Sequence, residues 1–272
     1  MAVMNISFLS KELGIQTKIN VILPTGRALR HEKRPPVKYQ TLWLLHGGTD
    51  DANGFIYNTN IVRYAEDNNI AVIMPENDDA FYTDGYIPNG GRYFSYVTEE
   101  LPAMCRSILP LSAAREDNFI AGNSMGGGGA MKCAVLHPEL YRTALVMSSG
   151  GIRMHRPEDR WVSDFLEKVL QDEDISDYVF PEDPKKDVQM ALPIYQILKE
   201  GTADLPKIIF TCGGDDMVLP QVKEALRFYD KMGLHYSFME VPGFRHEWDF
   251  WDLMLRKALE SLLPLMHEPI SI

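Results

Sequence analysis

The run Gly122-Asn123-Ser124-Met125-Gly126 constrains this chain more than any other segment. It lies directly after a short apolar strand (Asn118 to Ala121) and directly before a helical stretch (Met125 to Leu136). A serine that joins strand to helix through so tight a turn has strained dihedrals and stands clear of the backbone. Glycines two places before and after it are required because side chains there would clash. The turn also brings the hydroxyl beside a helix N-terminus, whose unpaired N–H groups favour developing negative charge. A phosphate cradle is the weaker reading of Gly126 to Gly129, because the Lys-Ser/Thr of a P-loop is missing and the glycines follow the serine rather than a strand end. Ser124 is therefore the candidate nucleophile.

The remaining segments supply a sheet for such a turn. Ile15, Thr17, Ile19, Val21 and Leu23 alternate up to Pro24, which predicts a half-buried antiparallel strand at a sheet edge. Thr41 to Leu45 is continuously apolar and stops at His46-Gly47-Gly48, as a strand covered on both faces does. Helix over 53–67, strand over 70–74, helix over 95–109, strands at Thr143 to Met147 and Ile208 to Thr211, helix at Pro220 to Lys231, strand at Tyr236 to Val241 and a closing helix from Trp248 to Leu263 follow in turn. This alternation predicts an α/β fold with a mostly parallel central sheet and helices on both faces. Residues 151–205 carry many charges and several prolines, and read as a cap-like insertion in a single domain spanning 1–272. Its apolar residues Trp161, Phe165, Tyr178 and Phe180 suit a lid, a contact between copies in a homo-oligomer, or core packing.

Composition excludes several classes of function. With 45% hydrophobic residues in 272, the chain can bury a large core and is not disordered. Against 38 acidic residues stand 27 basic ones, a formal charge of −11 that repels phosphate backbones and offers no polybasic patch to a membrane, so neither nucleic acid nor membrane is an expected partner. Met1 to Ser10 lacks the pattern of a secretory signal, which points to the cytoplasm. Cys105, Cys133 and Cys212 have no CxxC spacing and read as small buried hydrophobes rather than a disulfide framework or a zinc site. No metal or cofactor is expected.

An activated serine needs a base and the base an orienting carboxylate, in the order Ser, Asp/Glu, His for a strand-turn-helix nucleophile. His31, His46, His137 and His155 come too early, His235 begins a strand and His267 is in the tail. His246 remains, in the loop between the last strand and the last helix. The strand Ile208 to Cys212 runs into Gly213-Gly214-Asp215-Asp216, and either aspartate can serve. Asp216 is the better placed, because the helix starting near Pro220 lets it turn inward while Asp215 stays solvated. The oxyanion of a tetrahedral intermediate needs two N–H donors. Met125 supplies one and Gly48 the other, with Thr49 as second choice and His46 as a residue that orients this loop. The cluster Phe81-Tyr82-Thr83-Asp84-Gly85-Tyr86, with Trp248 and Trp251, is either an aromatic turn or a pocket wall; Thr49, Tyr82, Asp84 and Trp248 are the candidate substrate contacts.

Leu44-Leu45-His46-Gly47-Gly48, Tyr82-Thr83-Asp84, Glu100-Leu101-Pro102, Ala121 to Gly127, Cys212 to Asp216, and Pro242-Gly243 with His246 to Asp252 together resemble the tributyrin esterase group of the esterase D family. That group is related to S-formylglutathione hydrolases and to the feruloyl and acetylxylan esterases of carbohydrate esterase family one. The resemblance covers nearly the whole chain outside 151–205. It implies an α/β-hydrolase fold, a metal-free Ser-His-Asp mechanism and a small-molecule ester substrate with a short acyl chain. By motif position it carries Ser124 as nucleophile, Asp216 as acid, His246 as base, and Gly48 and Met125 as oxyanion donors. Two departures are Arg245, where the family usually has glycine beside the histidine, and Asn123, where an apolar residue is common. A glutathione thioesterase fits less well, since such a site should show clustered basic residues. A non-catalytic binding protein fits poorly with a complete set of three candidate triad residues.

Overall fold

The computed structural model describes residues 1–25, 37–85, 90–151, 167–168, 171, 194, 197–201, 204–267 and 270–271. Its strands are β1 (Ala2–Leu9), β2 (Gln16–Leu23), β3 (Val37–Lys38), β4 (Thr41–Leu45), β5 (Ala71–Pro75), β6 (Asn118–Asn123), β7 (Thr143–Met147), β8 (Lys207–Gly213), β9 (Tyr236–Val241) and β10 (Ile270–Ser271). Eight of them form one sheet in the order β1-β2-β5-β4-β6-β7-β8-β9, and β3 pairs with β10 apart from it. Pairing is antiparallel from β1 to β2 and from β2 to β5, and parallel from β5 through to β9. The helices are α1 (Gly54–Asn58), α2 (Ile61–Asn68), α3 (Tyr93–Ser95), α4 (Leu101–Ile108), α5 (Met125–Leu136), α6 (Leu219–Lys231) and α7 (Trp248–Lys257).

The period of two along each strand divides the core. Trp43 and Leu45 of β4, Ile120 of β6, and Ala144 and Val146 of β7 face the layer built from α3 to α6. Leu42 and Leu44, Phe119 and Ala121, and Leu145 and Met147 face α1, α2 and α7. Residues that alternate along a strand point to opposite faces, so a continuously apolar run is what a sheet with helices on both sides requires. The order of strands reverses at β4, which has β5 on one side and β6 on the other. Crevices open at the carboxyl ends of strands at such a reversal, and there β4 runs into His46-Gly47-Gly48 while β6 runs into Ser124.

Several expectations change. β2 is not an edge strand: β1 covers it in an eight-residue antiparallel register from Ala2↔Leu23 to Leu9↔Gln16. Met4, Ile6 and Phe8 of β1 pack on the core while Val3 and Leu9 are exposed. The helix expected over 53–67 is broken, because Thr59 is extended (φ −137°, ψ 171°) and the Asn60 N–H is taken by Asp252 (2.7 Å). The helix expected over 95–109 begins at Tyr93 and passes through a π turn, Tyr96–Glu100. Pro102 follows that turn and has no N–H to continue a regular ladder. The cap expected over 151–205, with Trp161, Phe165, Tyr178 and Phe180, lies outside the described residues, except for short pieces such as the buried Ile194 and Leu198. No helix among the described residues is long and apolar enough to cross a membrane.

Candidate active site

Ser124 sits between β6 and α5 with φ 52° and ψ −117°, a conformation that costs about 1–3 kcal/mol for a residue with a side chain. The surroundings enforce it. The Ser124 N–H donates to the Met147 carbonyl at 2.9 Å, tying the turn to β7. A Cβ at Gly122 would overlap the Gly126 carbonyl, and a Cβ at Gly126 would overlap the Leu45 carbonyl at the end of β4. The two glycines thus allow the helix to start hard against the strands, which raises the hydroxyl above the sheet.

His246 comes from the loop between β9 and α7, and its Nε2 lies 3.0 Å from Ser124 Oγ. Its Nδ1 lies 3.0 and 3.1 Å from the two carboxylate oxygens of Asp216. The Asp215 N–H donates to the Phe244 carbonyl at 2.9 Å, clamping the loop that carries the histidine to the one that carries the aspartates. Asp216 is 4% exposed whereas Asp215 points to solvent, so the two neighbouring aspartates are separated by burial. Burial raises the pKa of Asp216, but the His246 hydrogen bond, the Val218 N–H and the Ser148 hydroxyl outweigh it and hold the carboxyl below its ordinary value. An ionised Asp216 keeps the proton of a neutral His246 on Nδ1 and leaves Nε2 able to accept from the serine.

Gly48 and Met125 line the same cavity as Ser124. The Thr49 N–H donates to Asp79 (2.7 Å), which takes the second-choice oxyanion donor out of contention. His46, 1% exposed, supports the loop: its Nδ1–H donates to the Gly47 carbonyl at 2.8 Å, and that carbonyl belongs to the same peptide unit as the Gly48 N–H. Burial works against a charge on His46, yet the facing Glu76 carboxylate, the Gly47 carbonyl and Asp50 raise its pKa overall. Burial likewise opposes ionisation of Glu76, and His46 with Lys18 reverses it, so Glu76 is lowered.

A group raised in the folded state stabilises the fold below its unfolded value and loses that contribution as pH rises through the folded one. A lowered carboxyl does the opposite, contributing above its unfolded value. The pair therefore stabilises most between the ordinary values of about 4.5 and 6.5. His46→Gln is expected to show its largest deficit in Tm near pH 5.5, with the gap narrowing towards pH 9; a gap that is flat from pH 5 to 9 would contradict the charged pair.

Two cavities flank Ser124. One, of about 220 Å³, is lined by Gly48, Phe81, Met125, Lys132, Val218 and Val222 among others. The second, of about 290 Å³, is lined by Gly48, Thr49, Asp50, His246, Trp248 and Trp251 among others. Thr49 and Trp248, two of the candidate substrate contacts, line this second cavity. Tyr82 and Asp84 line neither cavity. Tyr82 is fully buried, its ring lies against Gly129, and its hydroxyl donates to the His46 carbonyl at 3.1 Å, so it forms the floor of the glycine loop. Asp84 accepts from the Phe94 and Ser95 N–H groups at 2.8 and 3.0 Å and holds the start of α3. Positive φ at Phe81 and Tyr82 (53° and 51°) redirects the aromatic cluster: Phe81 reaches the cavity and Tyr82 the core.

Residues that sequence reasoning missed follow a positional signal. Ser148 comes immediately after β7, the strand next to the one that carries Ser124. Lys132 is about two turns along α5, where it is buried and donates to the Phe81 carbonyl and the Thr83 hydroxyl at 3.0 and 2.8 Å.

Comparison with known proteins follows the same lines. The Esterase family model matches residues 10–261. An acetyl esterase of Caldicellulosiruptor saccharolyticus is 28% identical over 286 residues, covering 96% of this chain and 97% of that protein. An S-formylglutathione hydrolase of Paracoccus denitrificans is 32% identical over 173 residues, 56% of this chain and 57% of that protein. Among solved structures, FphF, a fluorophosphonate-binding serine hydrolase of Staphylococcus aureus, superposes with a TM-score of 0.77 at 24% identity, covering 96% of this chain and 98% of that one. The fold is that of the α/β-hydrolases.

Proposed function

Because the chain belongs to the Esterase family and is a carboxylic ester hydrolase, we propose that Ser124, His246 and Asp216 are its catalytic triad and that it cleaves small esters with short acyl chains. The observation that carries this reading is the chain of contacts at 3.0 Å from Ser124 Oγ through His246 to Asp216. Ser124 Oγ attacks the ester carbonyl while His246 Nε2 takes its proton, and the N–H groups of Met125 and Gly48 receive the oxyanion. The intermediate collapses, His246 returns the proton to the leaving alcohol, and an acyl-serine remains. Water, deprotonated by the same nitrogen, then releases the acid.

The leaving oxygen must take its proton from Nε2, so the cavity that contains His246 receives the alcohol and the one beside Met125 receives the acyl group. At about 220 Å³ the acyl side falls below the ~300–1,000 Å³ typical of sites for drug-sized ligands, which favours acetyl to butyryl groups. The net charge of −11 supports a small-molecule substrate over nucleic acid or membrane, and we place the enzyme in the cytoplasm.

Turnover of acetyl, butyryl, octanoyl and feruloyl esters of one alcohol tests the reading. Expected is a kcat/KM for acetate or butyrate about tenfold or more above octanoate, since methylenes that do not fit cost ~1–3 kcal/mol each. Octanoate as the best substrate would refute the acyl assignment, and S-formylglutathione turned over as fast as the best ester would replace the alcohol ester by a thioester.

A further inference from the structure

Hydrogen bonds to Nδ1 and Nε2 hold an imidazole at two points and leave it able to turn about the axis between them. In this site something else meets the ring. Trp251 of α7 is 6% exposed, and its indole lies edge-on to the His246 ring with centroids 5.1 Å apart at 89°. The indole is itself fixed, for its Nε1–H donates to Ser148 Oγ at 3.0 Å, and Trp248 packs edge-on to it with centroids 5.0 Å apart.

Ser148 is an unusual anchor. It follows β7 with φ 50°, a left-handed conformation that disfavours any residue but glycine. Its N–H donates to the Thr211 carbonyl of β8 at 2.8 Å, and its side chain is 2% exposed. Since the hydroxyl oxygen accepts from the indole, its own proton is available to a different neighbour, and it acts on the Asp216 carboxylate. Trp251 therefore meets the His246 ring directly, and the serine that it holds favours the ionised form of Asp216 at the other end of the histidine system.

We propose that Trp251 and Ser148 form a positioning pair, in which the indole sets the plane of His246 and the hydroxyl it tethers restrains Asp216. The proposal rests on the triad reading above and adds two residues to it. Each also borders a cavity beside Ser124, Trp251 the alcohol side and Ser148 the acyl side, so action through the base and the acid is told from a substrate contact by a loss in kcat rather than in KM. A side chain that only filled the core would affect stability alone, whereas a positioning pair affects the chemical step.

The test is a double-mutant cycle on the full chain with Trp251→Phe, Ser148→Ala and the double variant, read as kcat and KM for a butyrate ester, with thermal melts alongside. Trp251→Phe keeps an aromatic ring and deletes the N–H. Ser148→Gly serves as a control, because it relieves the positive φ while removing the hydroxyl, so its fold should hold. Each single variant is expected to lower kcat about tenfold with KM within twofold, since small misplacements of a reacting group carry costs of that order. The double variant is expected to be no more than about twofold worse than the weaker single, because the two residues act as one unit.

Additive losses in the cycle, or losses confined to KM or to Tm, would overturn the pair. So would a Ser148→Gly enzyme with full kcat. Labelling of the wild-type serine by a fluorophosphonate reports the triad reading separately: a wild type that hydrolyses and labels while the cycle is additive removes only the pair, and one that does neither removes both.

Discussion

Ser124→Ala is expected to lower kcat by roughly 10⁵-fold or more and to abolish covalent labelling by a fluorophosphonate, with the fold intact. The size follows from the role proposed for the residue: without an oxygen at position 124 no acyl-enzyme forms, and what remains is binding and the proposed N–H donors at Gly48 and Met125. The substitution deletes one hydroxyl from a residue whose backbone is held by the Met147 carbonyl and by the packing of Gly122 and Gly126, so little else should move. Alanine at φ 52° is no better tolerated than serine, and stability should stay within about 1 kcal/mol of wild type. Single-turnover hydrolysis and mass spectrometry of the labelled chain measure the two halves of this expectation. A variant that retains a tenth of wild-type turnover would place the nucleophile elsewhere.

That serine is also the most legible part of the site, because its chemistry is local. A tight turn between strand and helix needs small residues at fixed offsets, and the sequence displays them within five positions. Elements bounded by turn residues and apolar throughout are legible for the same reason: the structure bounds α5 at Met125–Leu136, β7 at Thr143–Met147 and β9 at Tyr236–Val241, the limits their patterns predict. β1 escaped because every second residue is exposed and the others are only partly buried, so Met4, Ile6 and Phe8 stand out weakly. The break at Thr59 depends on Asp252, far along the chain, and no window around residue 60 can contain it.

Tyr82 and Asp84 show a different limit. An aromatic residue with a polar tip and a nearby carboxylate suit a pocket by composition, but their direction is set by backbone angles. Positive φ at non-glycine residues is rare enough that a sequence gives no warning of it. Here Asp78, Asp79, Phe81 and Tyr82 all adopt it, with φ of 40°, 53°, 53° and 51°. The loop they form puts Asp79 on the Thr49 N–H and Tyr82 on the His46 carbonyl, so it shapes the His46-Gly47-Gly48-Thr49 loop.

The contact between His246 and Ser124 spans 122 residues, and its legibility came from chain order rather than from any local pattern. Order alone left Asp215 and Asp216 both open. The fold distinguishes them through burial and through the Val218 N–H, which donates to Asp216 Oδ1 at 3.0 Å. Substituting each in turn makes this distinction measurable. In Asp216→Asn the new amide can turn its N–H₂ towards Nδ1, which then becomes the acceptor and leaves the proton on Nε2, the nitrogen that must receive the proton of the serine. A wrong tautomer in this arrangement costs about 10⁴-fold in kcat, and that is the loss expected here, with KM little changed because the carboxylate does not line either cavity. Asp215→Asn changes an exposed side chain whose backbone N–H alone engages the histidine loop, at Phe244, and should stay within twofold of wild type. Rates measured for both variants on one ester decide the matter: equal losses would mean that the aspartates share the role, and a larger loss at position 215 would reverse the assignment.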